Sequence, residues 1–153
     1  MKRIAVYPGS FDPVTKGHEA LVLRALPLFD EIIIAIGINS NKQTLFPFEK
    51  RKQWLETVFA KYTQVSIDTY DTLTVNYCKG KKAKFILRGL RSSTDFEFEK
   101  NIAQANYAMD AEIETVFMVS SAGHSAIASS IVREIHKYGG DISQFIPSGI
   151  IIE

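Results

Sequence analysis

Residues 32–38 read Ile-Ile-Ile-Ala-Ile-Gly-Ile, a run with no polar side chain. A strand with one wet face alternates apolar and polar positions. A strand that is apolar throughout must be covered on both faces, as in a parallel sheet between helical layers. Shorter strand-like runs stand at Ile4-Ala5-Val6-Tyr7, Val65-Ser66-Ile67, Phe85-Ile86-Leu87 and Thr115-Val116-Phe117-Met118-Val119.

Segments of helical spacing lie between these runs. Leu21, Ala25 and Leu28 form one stripe, with Val22, Leu26 and Phe29 beside it. Pro27 removes a helical hydrogen bond, so that helix must kink or end early. Pro47 can open a second helix with Leu55, Val58, Phe59 and Tyr62 inward. Residues 72–79 allow a short helix. Thr94 and Glu97 have capping-box spacing for a long one through about Asp110. Ser129 or Ser130 can cap a last helix carrying Ile131, Val132 and Ile135, with Gly139-Gly140 as its stop. Strands alternating with helices predict an α/β fold. The expectation is a Rossmann-like, doubly wound, five-stranded parallel sheet with helices on both faces, formed by residues 1–153 as a single domain.

Polar clusters follow every strand: residues 10–18, 39–42, 70–76, 88–91 and 120–130. In a parallel sheet all five reach the same rim, where ligands of such sheets bind. The first cluster is the richest: Tyr7-Pro8-Gly9-Ser10-Phe11-Asp12-Pro13-Val14-Thr15-Lys16-Gly17-His18. A strand, a turn-rich loop and a helix start place free N–H groups and a partial positive charge where an anion can sit. Gly9 and Gly17 permit close backbone approach. His18 falls in the first helical turn, aimed at that place.

Composition narrows the classes of function. The net charge is +1, too small for a field that recruits nucleic acid or a membrane. The Lys79-Gly80-Lys81-Lys82-Ala83-Lys84 run lacks interleaved aromatics and reads as a solvated connection. No apolar stretch approaches the roughly 20 residues of a membrane span, and the start is too short for a signal-peptide core. One cysteine, Cys78, leaves no internal disulfide framework and fits a reducing cytoplasm. There is no Cys/His cluster to cage a metal.

Thr15-Lys16-Gly17-His18 resembles the (H/T)xGH motif of the nucleotidyltransferase superfamily. With Pro8-Gly9-Ser10-Phe11-Asp12-Pro13 before it and Arg88-Gly89-Leu90-Arg91 later, the chain most resembles the bacterial phosphopantetheine adenylyltransferase family. The resemblance runs from the first loop to Gly140-Asp141. It implies transfer of the adenylyl group of ATP to 4′-phosphopantetheine, giving dephospho-CoA and pyrophosphate. It also implies Mg²⁺ arriving with ATP, a homohexamer, and feedback binding of CoA.

The resemblance assigns residues as follows. Ser10 helps orient the acceptor phosphate, and the backbone of Ser10 and Phe11 meets the nucleotide. His18 stabilises the transition state. Lys42, alone an ordinary surface charge, bridges the reacting phosphates. Thr74 belongs with Leu73 and Asn76 to the pantetheine pocket, though relatives more often carry a larger apolar residue there. Arg88 holds the acceptor phosphate, while Gly89, Leu90 and Arg91 hold ATP. Glu99 lines the ATP site, where it suits a ribose hydroxyl or hydrated Mg²⁺. Asp95 and Glu97 read as helix-dipole partners.

The last nucleotide segment is His124, Ser125, Ala126, Ile127, Ala128, Ser129, Ser130 with Arg133, similar to the superfamily's ISSxxxR signature. Ala128 replaces its first serine, and His124 stands where relatives often carry tryptophan. Phe98 stands where tyrosine is common. Two further readings remain. One is a sister enzyme using nicotinamide mononucleotide or glycerol 3-phosphate, against which Arg88–Arg91 speaks. The other is a nucleotide-binding module without catalysis, supported only by Ala128 and His124.

Overall fold

The computed structural model describes residues 1–39 and 41–153. Its strands are β1 (Ile4–Gly9), β2 (Glu31–Gly37), β3 (Val65–Tyr70), β4 (Phe85–Leu90) and β5 (Glu114–Val119). They form one parallel sheet in the order β3-β2-β1-β4-β5. The chain first winds outward from β1 to β3, then returns to the other side of β1 for β4. Between β1 and β4 the connections leave in opposite directions. That switch point opens a crevice at the carboxyl ends of the strands.

Among the described residues five α-helices cover the sheet: α1 (Lys16–Ala25), α2 (Phe48–Phe59), α3 (Thr74–Gly80), α4 (Ser93–Met109) and α5 (Ser129–Lys137). The run in β2 feeds both faces as its composition demands. Ile32, Ile34 and Ile36 join a cluster with Leu21, Val22, Leu55, Phe59, Val132 and Ile146. Ile33 and Ala35 join Val6, Val75, Cys78, Ile86 and Ile113 on the other face. The doubly wound arrangement is therefore as expected. Helix α1 stops at Ala25, and Pro27 sits in a 3₁₀ turn over Leu26–Leu28.

Several boundaries differ from the sequence reading. Helix α4 is capped by Ser92, whose side chain accepts the Asp95 amide, so the Thr94/Glu97 pair lies inside the helix. Pro47 takes the N-cap position of α2, and Tyr62 lies beyond that helix while still packing on the core. Arg88, Gly89 and Leu90 continue β4 rather than leaving it. Ala128, not Ser129 or Ser130, holds the cap position of α5. A cap is chosen by where the chain turns, and several hydroxyls in a row cannot reveal that.

Candidate active site

The crevice between β1 and β4 opens into a cavity of about 340 Å³. Its floor is Pro8, Gly9, Arg88 and Gly89 from the two strands. Gly9 gives the loop above it room. A Cβ there would lie 3.0 Å from the Phe11 ring. Phe11 itself has a positive φ of 47°, which L-residues seldom adopt. The turn folds its buried ring under His18, with centroids 5.0 Å apart.

Thr15 and His18 hold the start of α1 together. The Thr15 hydroxyl accepts the His18 amide at 3.3 Å, and His18 Nδ1 accepts the Thr15 amide at 2.9 Å. This is a capping box in which histidine plays the part usually taken by Glu or Gln. It has a chemical consequence. A nitrogen that accepts an N–H carries no proton, so the neutral ring bears its hydrogen on Nε2. The ring lines the cavity, and its free donor is the Nε2–H.

Burial pushes the His18 imidazole down to about 4, assisted by the nearby Arg88 and Arg91 charges. The ring is thus neutral at ordinary pH and acts as a hydrogen-bond donor without being an acid. Unfolded His18 has the ordinary value of 6.5, so below it the unfolded chain takes up a proton that the folded chain refuses. Stability is complete above that value, declines as pH falls, and levels off below about 4. We expect the His18 Cε1 resonance to titrate with its midpoint near 4. An NMR titration across pH 3.5–8 checks this, and a midpoint near 6.5 would refute it.

Opposite His18, Lys42 Nζ reaches the Ser10 hydroxyl at 3.5 Å. Arg88 spans the floor. Its Nε and Nη2 donate to the two oxygens of Glu99 at 3.1 and 2.6 Å, and Nη1 donates to the Pro8 carbonyl at 2.6 Å. The Glu99 carboxylate raises Arg88 against the desolvation that opposes it, so the guanidinium stays charged. Arg91 stands on the wall. Asp95 accepts its amide at 3.0 Å and its Nε at 3.3 Å. Asp95 therefore orients a cavity arginine as well as answering the helix dipole.

The remaining wall is the N-terminus of α5. With alanine at the cap there is no side-chain cap hydrogen bond, and the first amides of the helix stay open. The Ser129 hydroxyl is donated to the Pro13 carbonyl at 3.0 Å, so it ties two loops together. Arg133 likewise donates to the Asp12 carbonyl at 2.8 Å.

The cavity unites most of the residues singled out above: Ser10, Phe11, His18, Lys42, Arg88, Gly89, Arg91, Glu99, His124, Ile127, Ala128, Ser129 and Ser130. Leu90, Ser125 and Ala126 are not on its wall. Leu90 instead supplies its carbonyl to Ser120, and the Ser125 hydroxyl bonds back to Ala122. Thr74 lies in a second cavity of about 190 Å³ that shares Pro8, Gly9, Arg88 and Glu99 with the first. Tyr70, Ile86, Ile102, Ala103, Asn106 and Thr115 complete it. Thr74 is fixed there by the Tyr70 hydroxyl at 3.0 Å. Tyr70 stood at the start of the polar cluster after the third strand, whereas Ala103 and Asn106 carried no sequence signal, since nothing local tells which side of α4 meets a crevice.

A family model described as cytidylyltransferase-like matches residues 6–135. The phosphopantetheine adenylyltransferase of Flavobacterium johnsoniae is 48% identical over 151 residues, covering 99% of both chains. That of Lachnoclostridium phytofermentans is 48% identical over 149 residues, which is 97% of this chain and 91% of the relative. Among solved structures, a bifunctional NMN adenylyltransferase/ADP ribose pyrophosphatase from Francisella tularensis superposes with a TM-score of 0.73 at 20% identity. The match covers 95% of this chain and 45% of that one, and at this identity it speaks for the fold alone. The nearly full-length identity to named relatives carries the assignment: the chain belongs to the phosphopantetheine adenylyltransferase family, within the cytidylyltransferase-like proteins.

Proposed function

We propose that the crevice joins ATP to 4′-phosphopantetheine, giving dephospho-CoA and pyrophosphate as a step of coenzyme A synthesis. The observation that carries this reading is the pair of cavities meeting on Arg88 and Glu99. The larger one has the open amides of α5 and the His18 donor, as a triphosphate requires. The smaller has Ile86, Ile102 and Ala103 for a flexible arm, with Thr74 and Asn106 as polar fixtures. Arg88 stands at their junction, where the acceptor's phosphate would lie.

In this reading a phosphate oxygen of the acceptor attacks the α-phosphorus of ATP. The new P–O bond forms as the bond to the bridging oxygen breaks, and pyrophosphate carries that electron pair away. Charge grows on the non-bridging oxygens, where Nε2–H of His18 donates and Lys42 adds a point charge. Ser10 and Arg88 orient the acceptor phosphate. The backbone of Phe11, Gly89 and Arg91, with His124, Ile127, Ala128, Ser129 and Ser130, holds the nucleotide. Glu99 acts mainly by keeping Arg88 in place. No covalent intermediate is needed, so catalysis is positioning plus electrostatics.

Mg²⁺ belongs to the proposal as the companion of ATP. Among the described residues no group of three His, Cys, Asp or Glu side chains is placed to hold a metal ion. The two cavity carboxylates, Asp95 and Glu99, are paired with arginines. These residues fit an ion brought by the nucleotide, which would neutralise phosphate charge. The homohexamer and CoA feedback are also proposals. Phe98, Tyr107, Met109 and Val119 are each more than half exposed, and such apolar side chains on α4 and β5 support a subunit contact. A cytoplasmic site of action fits this reaction, and no helix is long and apolar enough to cross a membrane among the described residues.

The test is pyrophosphate release from ATP and Mg²⁺ with three acceptors in parallel: 4′-phosphopantetheine, nicotinamide mononucleotide and glycerol 3-phosphate. Release with phosphopantetheine alone is expected. Release with another acceptor instead would move the chain to a sister activity. ATP binding with no release in any well would make it a nucleotide-binding module.

A further inference from the structure

Asp12 takes no part in the reaction set out above, yet the fold buries it to 4% exposure. Its carboxylate is not on the cavity wall. Oδ2 accepts the amide of Leu45 and Oδ1 that of Phe46, each at 2.9 Å. Those amides lie just beyond Lys42 on the connection from β2 to α2. Arg51 closes the same junction from α2. Its Nε donates to the Phe46 carbonyl at 3.0 Å and its Nη1 to the Ser10 carbonyl at 2.7 Å. The lysine-bearing segment is therefore hung on the loop after β1, beside the Ser10 hydroxyl that Lys42 approaches.

We propose that Asp12, backed by Arg51, is a positioning residue for Lys42: it fixes the root of the lysine over Ser10 and so the place where the ammonium meets the reacting phosphates. This rests on the role given to Lys42 above. A lysine reaches through a flexible four-carbon stem, so the position of its charge depends on where its backbone is held. Small displacements of a charge from the reacting centre lose much of its effect. The residue type fits the task. A carboxylate is an acceptor only and can take two N–H groups at once. Asparagine at the same place offers one oxygen and turns an NH₂ toward the second amide. One buried donor is then left without a partner.

The experiment is a double-mutant cycle. Asp12→Asn and Asp12→Ala are each made alone and with Lys42→Ala. Turnover and both KM values are measured, along with trypsin cleavage after Lys42 in the free protein. Asp12→Asn is expected to lower kcat about tenfold, the loss that one unmet charged hydrogen bond brings, with the KM for ATP little changed. In the Lys42→Ala background the same substitution should change kcat by less than about twofold, because the group it positions is gone. Cleavage after Lys42 should quicken about tenfold as the segment comes free. Equal losses with and without Lys42 would overturn the proposal, since that is what a purely structural Asp12 gives; unchanged cleavage would overturn it too, since the lysine segment would then not hang on Asp12. If neither Asp12 variant folds, Arg51→Lys enters the same cycle. It keeps the charge but cannot span both carbonyls. A wild-type chain inactive on every acceptor would sink the reaction instead, and the cleavage rates would still decide whether Asp12 holds the lysine segment.

Discussion

His18→Ala is expected to lower kcat by on the order of 10²–10³ with the sheet intact, the loss seen when one transition-state donor is removed. The geometry makes the side chain hard to replace. Nδ1 is committed to the Thr15 amide at 2.9 Å, so the only proton of the neutral ring is on Nε2. The depression to about 4 keeps the ring in that single form across the working pH range. Alanine removes the donor and also leaves the Thr15 amide without its partner, which costs about 1 kcal/mol at a helix start. The stability change should therefore be small beside the kinetic one. Steady-state rates together with thermal unfolding separate the two, and turnover near wild type would remove His18 from the mechanism.

The second large effect belongs to Arg88→Ala. We expect acceptor binding to weaken on the order of 10²-fold while ATP binding changes by less than about threefold, since in the proposed role Arg88 holds the phosphate of one substrate only. The substitution also strands Glu99. That side chain is only 11% exposed, and its two oxygens both pair with Arg88. Breaking a buried pair from one side costs about 3–5 kcal/mol. Arg88 is itself 32% exposed, and water reaching the gap should place the cost at about 3 kcal/mol or below. Arg88→Ala with Glu99→Gln tests the split. It should recover much of the stability and none of the acceptor affinity. Calorimetric titration with each substrate provides the check, and equal weakening for ATP and acceptor would show that Arg88 does not belong to the acceptor.

The candidate site was legible where chemistry and contiguity coincide. Ser10, Phe11 and His18 belong to one loop and one helical turn, so their order along the chain places them together. Arg88 and Arg91 could be put on the same rim because a strand precedes them and the sheet is parallel. The capping box on α1 was less visible. Thr15 and His18 have the right spacing, but histidine is not the residue expected at its third position. At α5 several hydroxyls competed for one cap, and the chain turned at Ala128, leaving the open amides. Leu90, Ser125 and Ala126 stand inside matching motifs without touching the cavity, because a motif does not say which way each residue faces.

The sequence alone determined the strand and helix alternation, the buried sheet and the polar rim. Each of these depends on a residue's own polarity and its near neighbours, and the run at 32–38 could satisfy itself in few other ways. Only the tertiary structure decided how the rim is held in register. The Asp12 carboxylate closes on the Leu45 and Phe46 amides, Arg51 and Arg133 on the carbonyls of Ser10 and Asp12, and Ser129 on that of Pro13. All of these partners are backbone groups. Every residue other than proline carries the same N–H and every residue the same C=O, so no side-chain pattern can mark which one a distant Asp or Arg will meet.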